Sequence, residues 1–127
     1  MVLINVLKCK IHRATVTDAQ IHYHGSITID RELMDKAGLL PFEKVMVVSL
    51  DSGERLETYV IEGDWGSGEI CLNGAAARKI LKGDKIIILA FVAMDEKNHG
   101  AFKPAIVHVD ENNKIVPAES NDKDDEC

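Results

Sequence analysis

Apolar and polar residues alternate along "NVLKCKIHRATV" at 5–16, with Leu7, Cys9 and Ile11 on one side and Lys8, Lys10 and His12 on the other. A period of two is that of a β-strand with one face covered. Similar patterns predict strands near 20–29, 44–50, 55–61, 69–72, 85–92 and 105–109. Only two short helices are predicted. One follows Asp30, a good N-cap, through "RELMDKA" and stops at Gly38. The other follows Asn73 through "GAAARKIL" and ends near Gly83. Many short strands with two stubby helices point to a mainly β chain folded as a small barrel. One stretch sits badly in this pattern. In "YHGSITID" at 23–30, Gly25 interrupts a strand-like run and Ser26 follows at once. Glycine packs nothing in a strand. A bulge or tight bend is one explanation; a reactive Gly25–Ser26 bond is the other.

An internal repeat sharpens the fold class. "GLLPFEKVMVVSL" (38–50) resembles "KILKGDKIIILAF" (79–91) at an offset of 41 residues. Leu39-Leu40 matches Ile80-Leu81, Glu43-Lys44 matches Asp84-Lys85, and an apolar strand follows each. Two helix–turn–strand units related by a pseudo-two-fold axis are what a double-psi β-barrel contains.

Composition narrows the class without naming a function. The chain has 127 residues, enough for one domain with a core, and 46% of them are hydrophobic. No apolar run is long enough to span a membrane, and "MVLINVLKCKIH" lacks a basic leader and a cleavage site. A cytoplasmic location is expected. Net charge is −6, which argues against a nucleic-acid role. Residues 118–127 hold five acids and one lysine, so a disordered acidic tail is expected there, after a single domain over 1–117. Cys9, Cys71 and Cys127 are widely spaced and odd in number, with no C-x-x-C pair. That excludes a disulfide framework or zinc ribbon and makes Cys9 and Cys71 small core residues.

Taken singly, the polar motifs are ambiguous. His22 and His24 form an H-x-H that could bind a metal, but no third ligand follows at a persuasive spacing. Exposed or hydrogen-bonded histidines are the simpler reading, and no metal is expected. "GSITIDRELMDKAGLLPFEKVMV" also has the strand–helix–turn–strand form of swapped-hairpin transcription regulators, which are usually shorter and basic on one face. In "GERLETY" (53–59), Arg55 and Tyr59 share a strand face. An arginine can grip a carboxylate bidentately, and a tyrosine hydroxyl can deliver a proton. "NGAAARK" (73–79) sets Gly74, Ala75 and Ala76 at a helix start, where free N–H groups suit an anion.

Together, "KIHR", "YHGS", "GERLETY" and "NGAAA", in this order over residues 10–77, resemble the aspartate 1-decarboxylases, pyruvoyl enzymes of pantothenate biosynthesis. The resemblance runs to about Val109 and includes "GDKIIILAFVAM"; His24 stands where the family commonly has an acidic residue. It implies a six-stranded double-psi β-barrel. It also implies that Ser26 Oγ attacks the Gly25 carbonyl and that the chain divides into residues 1–25 and 26–127. Ser26 would become a pyruvoyl group, with no metal and no pyridoxal phosphate. Thr58 would stabilise the cleavage intermediate. Tyr59 would protonate the product carbanion, giving β-alanine and CO2 from L-aspartate. Arg55, Lys10, His12, Thr58, Asn73, Gly74, Ala75 and Ala76 would bind the substrate. Thr58 and Tyr59 are adjacent, so a regular strand aims them to opposite faces. Both serve one site only if the strand is irregular or the site lies between subunits. The family is a homotetramer with interfacial sites, which favours the second, and a maturation factor is a further possible partner.

Overall fold

The computed structural model describes residues 1–22 and 24–118. Tyr23 and all of the expected disordered tail except Ala118 lie outside the described residues. The chain is mainly β, with nine strands among the described residues. In chain order these are β1 (Leu3–Thr15), β2 (Asp18–Gln20), β3 (Ser26–Asp30), β4 (Lys44–Ser49), β5 (Arg55–Gly63), β6 (Ile70–Asn73), β7 (Lys85–Asp95), β8 (Ala105–Val109) and β9 (Ile115–Val116). They pair in one row, β2-β6-β3-β5-β4-β7-β1-β8-β9. The expected number of six is therefore not the number of separate strands.

The expected strand over 20–29 is two strands. The chain turns at Ile21–His22 and bends at Gly25, so that β2 and β3 flank β6 on opposite sides. The one α-helix among the described residues, α1 (Arg31–Ala37), is bounded as the sequence predicts. Asp30 accepts a hydrogen bond from Glu32 N, and Gly38 closes the helix in a left-handed conformation at φ 80°. The second predicted helix is only a 3-10 turn, Gly74–Arg78. Asn73 does not cap it: its side chain is turned to the β3–β6 pair, where Oδ1 accepts from Cys71 and Nδ2 donates to Ser26 and Thr28. A further 3-10 turn, Glu96–Ala101, was not expected.

The repeat is visible in hydrogen bonds. Leu40 N is bonded by Glu43 Oε1 at 3.0 Å, and Leu81 N by Asp84 Oδ2 at 2.9 Å. Strands β4 and β7, one from each copy, are antiparallel neighbours with Val47 opposite Ile88. Those two residues are equivalent in the repeat, so a local two-fold axis passes between them. The symmetry reaches further: Phe42 N donates to Val60 O, and Gly83 N donates to Val16 O, both at 2.8 Å. Val16 joins β1 to β2 and so stands where Val60 stands in β5. β5 is parallel to β3 just as β2 is parallel to β6.

Ile11, Ile27, Ile29, Leu33, Ile70, Leu72, Ile86 and Ile88 are fully buried. With Val45 and Val47 of β4, they form the core. On β3 and β6 the alternate positions, Ser26, Thr28, Cys71 and Asn73, face the other way. Ser26 pairs with Asn73 and Thr28 with Cys71.

Candidate functional site

β5 pairs with β3 only from Val60 onward, where Val60 lies opposite Ile27. Ahead of Val60, no strand among the described residues pairs with that edge of β5. A pocket of about 420 Å³ lies along it, lined by Gly25, Leu56, Glu57, Thr58, Tyr59, Ala75, Ala76 and Lys79. Three stretches far apart in the chain meet there. Thr58 and Tyr59 both line it, although β4 and β5 pair without a register shift (Thr58 opposite Val45, Tyr59 opposite Lys44). The pocket flanks an unpaired strand edge rather than one face of a sheet, so neighbouring residues can both reach it. A single chain therefore brings the two residues together without an irregular strand.

Ser26 is buried, the first residue of β3 and next to pocket-lining Gly25. Its Oγ accepts a hydrogen bond from Asn73 Nδ2 at 3.0 Å and donates to His24 O at 3.3 Å. Asn73 Nδ2 also donates to Thr28 Oγ1 at 3.0 Å. Asn73 Oδ1 accepts from Cys71 Sγ at 3.3 Å. Cys71 was expected to be plain core; it is buried but spends its thiol on this network. Burial, with Asp18 and Glu69 nearby, pushes that thiol up to about 11. Burial likewise pushes Cys9 up to about 11, Glu43 adding and Lys8 opposing. Both thiols stay protonated at neutral pH.

Gly25 is not forced by the uncut backbone: a Cβ there would meet nothing within 4 Å, and its φ is not left-handed. Gly74 is different, with φ 70°, a conformation that favours glycine. It starts the turn that carries Ala75 and Ala76 to the pocket, and it is itself buried. Leu56, Glu57 and Lys79 were not anticipated. Lys79 adds a positive charge, with its Nζ 3.7 Å from Glu54; a lysine following a small-residue turn was its only signal.

The expected cations are elsewhere. Arg55 is exposed in an adjoining depression with Met46, Leu56 and Glu57. Lys10 and His12 are buried on β1, which is flanked by β7 and β8. The His12 ring packs edge-on against His108 at 5.7 Å. None of the three lines the Gly25 pocket of its own chain. His22 and His24 are exposed. Among the described residues no group of three His, Cys, Asp or Glu side chains could hold a metal, and no helix is long and apolar enough to cross a membrane.

A buried serine, its oxygen held by an amide, thus lies beside an accessible glycine and a Thr-Tyr pair. Comparison with known proteins gives the family. The family model described as aspartate decarboxylase matches residues 2–116. The aspartate 1-decarboxylase of Caldicellulosiruptor saccharolyticus is 57% identical over 125 residues, 98% of each chain. That of Dehalococcoides mccartyi is 59% identical over 111 residues, 87% of this chain and 90% of its own. Among solved structures, the rationally designed mkDPBB_sym1 protein covers 70% of this chain and 100% of its own, at TM-score 0.45 and 19% identity. The chain belongs to the aspartate decarboxylase family.

Proposed function

We propose that this protein decarboxylates L-aspartate to β-alanine and CO2, supplying pantothenate synthesis, after cutting itself between Gly25 and Ser26. The observation that carries this reading is the pocket in which Gly25 meets Thr58, Tyr59, Ala75 and Ala76. In self-cleavage, Ser26 Oγ attacks the Gly25 carbonyl and the peptide nitrogen leaves, giving an ester. Loss of the Ser26 Cα proton then breaks the Cβ–Oγ bond, and Oγ departs within the Gly25 carboxylate. Water replaces the remaining nitrogen, which leaves as ammonia, and residue 26 ends as a pyruvoyl group. Thr58 supplies a hydroxyl donor for charge developing beside Gly25.

The residues present fit such a group: it would form at buried Ser26, adjoining the pocket through Gly25, and no metal or pyridoxal phosphate is called for. When formed, the pyruvoyl ketone supplies an electron sink for the pair left as the α-carboxylate departs. Tyr59 holds, at its phenolic oxygen, the proton for the α-carbon. Ala75 and Ala76 offer backbone to the substrate with little side chain in the way, and Gly74 sets their turn. Asn73 acts on Ser26 more than on the substrate.

Arg55, Lys10 and His12 remain the proposed carboxylate-binding cations. None lines the pocket of its own chain, so their role depends on the homotetramer with sites between subunits that is part of this proposal. The fold proposed is the double-psi β-barrel. β1 and β2 count as one bent strand, which with β3 to β7 makes six, and the two-fold hydrogen-bond pattern supports it. The domain spans 1–117, and the free thiols of Cys9 and Cys71 suit the cytoplasm.

Intact-mass measurement tests the core of this reading. The purified protein should give one fragment ending at Gly25 and another, residues 26–127, with a blocked N-terminus. Borohydride with aspartate should add covalently to the larger fragment. Ser26→Ala should stay whole and inactive; a Ser26→Ala protein that still cleaves and still decarboxylates overturns the mechanism.

A further inference from the structure

Asn73 can present either end of its amide to Ser26, and the two ends have opposite consequences. With nitrogen toward Ser26, as here, an N–H meets the serine oxygen at 3.0 Å. With the amide reversed, a carbonyl would face that oxygen. During cleavage the electron pair of the Cβ–Oγ bond goes to Oγ as the Gly25 carboxylate leaves. A donor at Oγ stabilises that charge, and a carbonyl opposes it. Neither hydroxyl partner fixes the choice, because Ser26 and Thr28 can each donate or accept. The Cys71 thiol biases it: Sγ lies 3.3 Å from Asn73 Oδ1 and 3.8 Å from its other acceptor, Leu72 O, and because an S–H donates better than a thiol sulfur accepts, the nearer contact favours the carbonyl end of the amide.

We propose that Cys71 is a positioning residue for self-cleavage: its S–H fixes the orientation of the Asn73 amide so that the N–H faces Ser26 Oγ. This rests on the self-cleavage reading above. The geometry supports it from both sides of the strand pair. Cys71 and Asn73 lie two apart on β6 and share a face, and their partners on β3 are Thr28 and Ser26. Cys71 is 5% exposed and Asn73 5%, so water does not readily replace the thiol. Burial also keeps the thiol protonated, and hence a donor, throughout the neutral range.

The test uses full-length chains synthesised in vitro, with cleavage timed by intact mass and folding followed by thermal unfolding. Cys71→Ser keeps a donor, whereas Cys71→Val keeps apolar bulk and removes it. Cys71→Ala removes the donor with less risk of crowding. Cleavage should be near wild-type in Cys71→Ser and slowed about five- to tenfold in Cys71→Val and Cys71→Ala, the loss expected for one hydrogen bond. A role in packing alone gives the opposite order, with Val above Ser in both stability and cleavage. Val or Ala variants that cleave at the wild-type rate, or a Ser variant as slow as Val, overturn the inference alone. A wild-type chain that never cleaves overturns it together with the self-cleavage reading.

Discussion

In the proposed mechanism Tyr59 and Thr58 carry different steps, and removing the Tyr59 hydroxyl separates them. Tyr59→Phe removes one hydroxyl and little volume at a half-buried position. Ser26, Asn73 and Thr58 are untouched, so the variant should fold and cleave. Its turnover should then fall roughly 10²–10⁴-fold, the usual loss of a general acid. Steady-state kinetics on protein shown by mass to be fully cleaved provides the check, and unchanged turnover would assign the proton to another group. That these two residues share a pocket with Gly25, Ala75 and Ala76, beside Ser26, was legible because the motifs that hold them are short and local. Cys71 was not: a lone cysteine in an apolar strand reads as core, and only the register of β3 against β6 puts its thiol on Asn73. Leu56, Glu57 and Lys79 were missed for a related reason. Leu56 and Glu57 reach the pocket where β3 no longer pairs with β5, ahead of Val60, and Lys79 reaches it from the end of the turn after β6; no local pattern encodes either.

At the level of elements, caps and period-two strands were readable, since neighbours in sequence determine them. The split of 20–29 was not. β2 and β3 lie on opposite sides of β6, and the choice of partner belongs to the whole sheet. The same holds for the brief turn after Asn73, whose capping amide is committed to β3. Asp30 shows how a local signal acquires a long-range duty. Its carboxylate caps α1 through Glu32 N and also accepts from Gly66 N and Gly68 N, each at 2.8 Å. One buried side chain thus ties the helix start to the loop after β5. Asp30→Ala should strand these donors and destabilise the fold by about 3 kcal/mol. Urea unfolding of the uncut Ser26→Ala chain, with and without the second change, measures this on a single species. A midpoint unmoved by Asp30→Ala would show that the loop is held by its remaining contacts, such as Asn113 Nδ2 to Gly68 O at 2.8 Å.

Over the whole molecule, the repeat that was faint in sequence is firm in structure, because the equivalent turns form equivalent hydrogen bonds and Val47 meets Ile88 across the axis. Function follows the symmetry only partly: the 3-10 turn of the second copy, not α1 of the first, supplies the small residues of the pocket. One chain also leaves the site without its expected arginine, since Arg55 sits in the next depression. If a neighbouring subunit completes the site, the defects of Tyr59→Phe and Arg55→Lys belong to different chains. Arg55→Lys should itself cleave normally and turn over aspartate poorly, because lysine offers a point charge in place of a planar fork. Co-expressing the two variants should then restore activity, to about one quarter of wild type for random mixing of subunits around symmetric interfaces. Separately purified variants, mixed without subunit exchange, should stay inactive. If co-expression restores nothing while mixed assemblies are confirmed by mass, Arg55 and Tyr59 serve a site within one chain, and Arg55 must reach the pocket across Leu56 and Glu57.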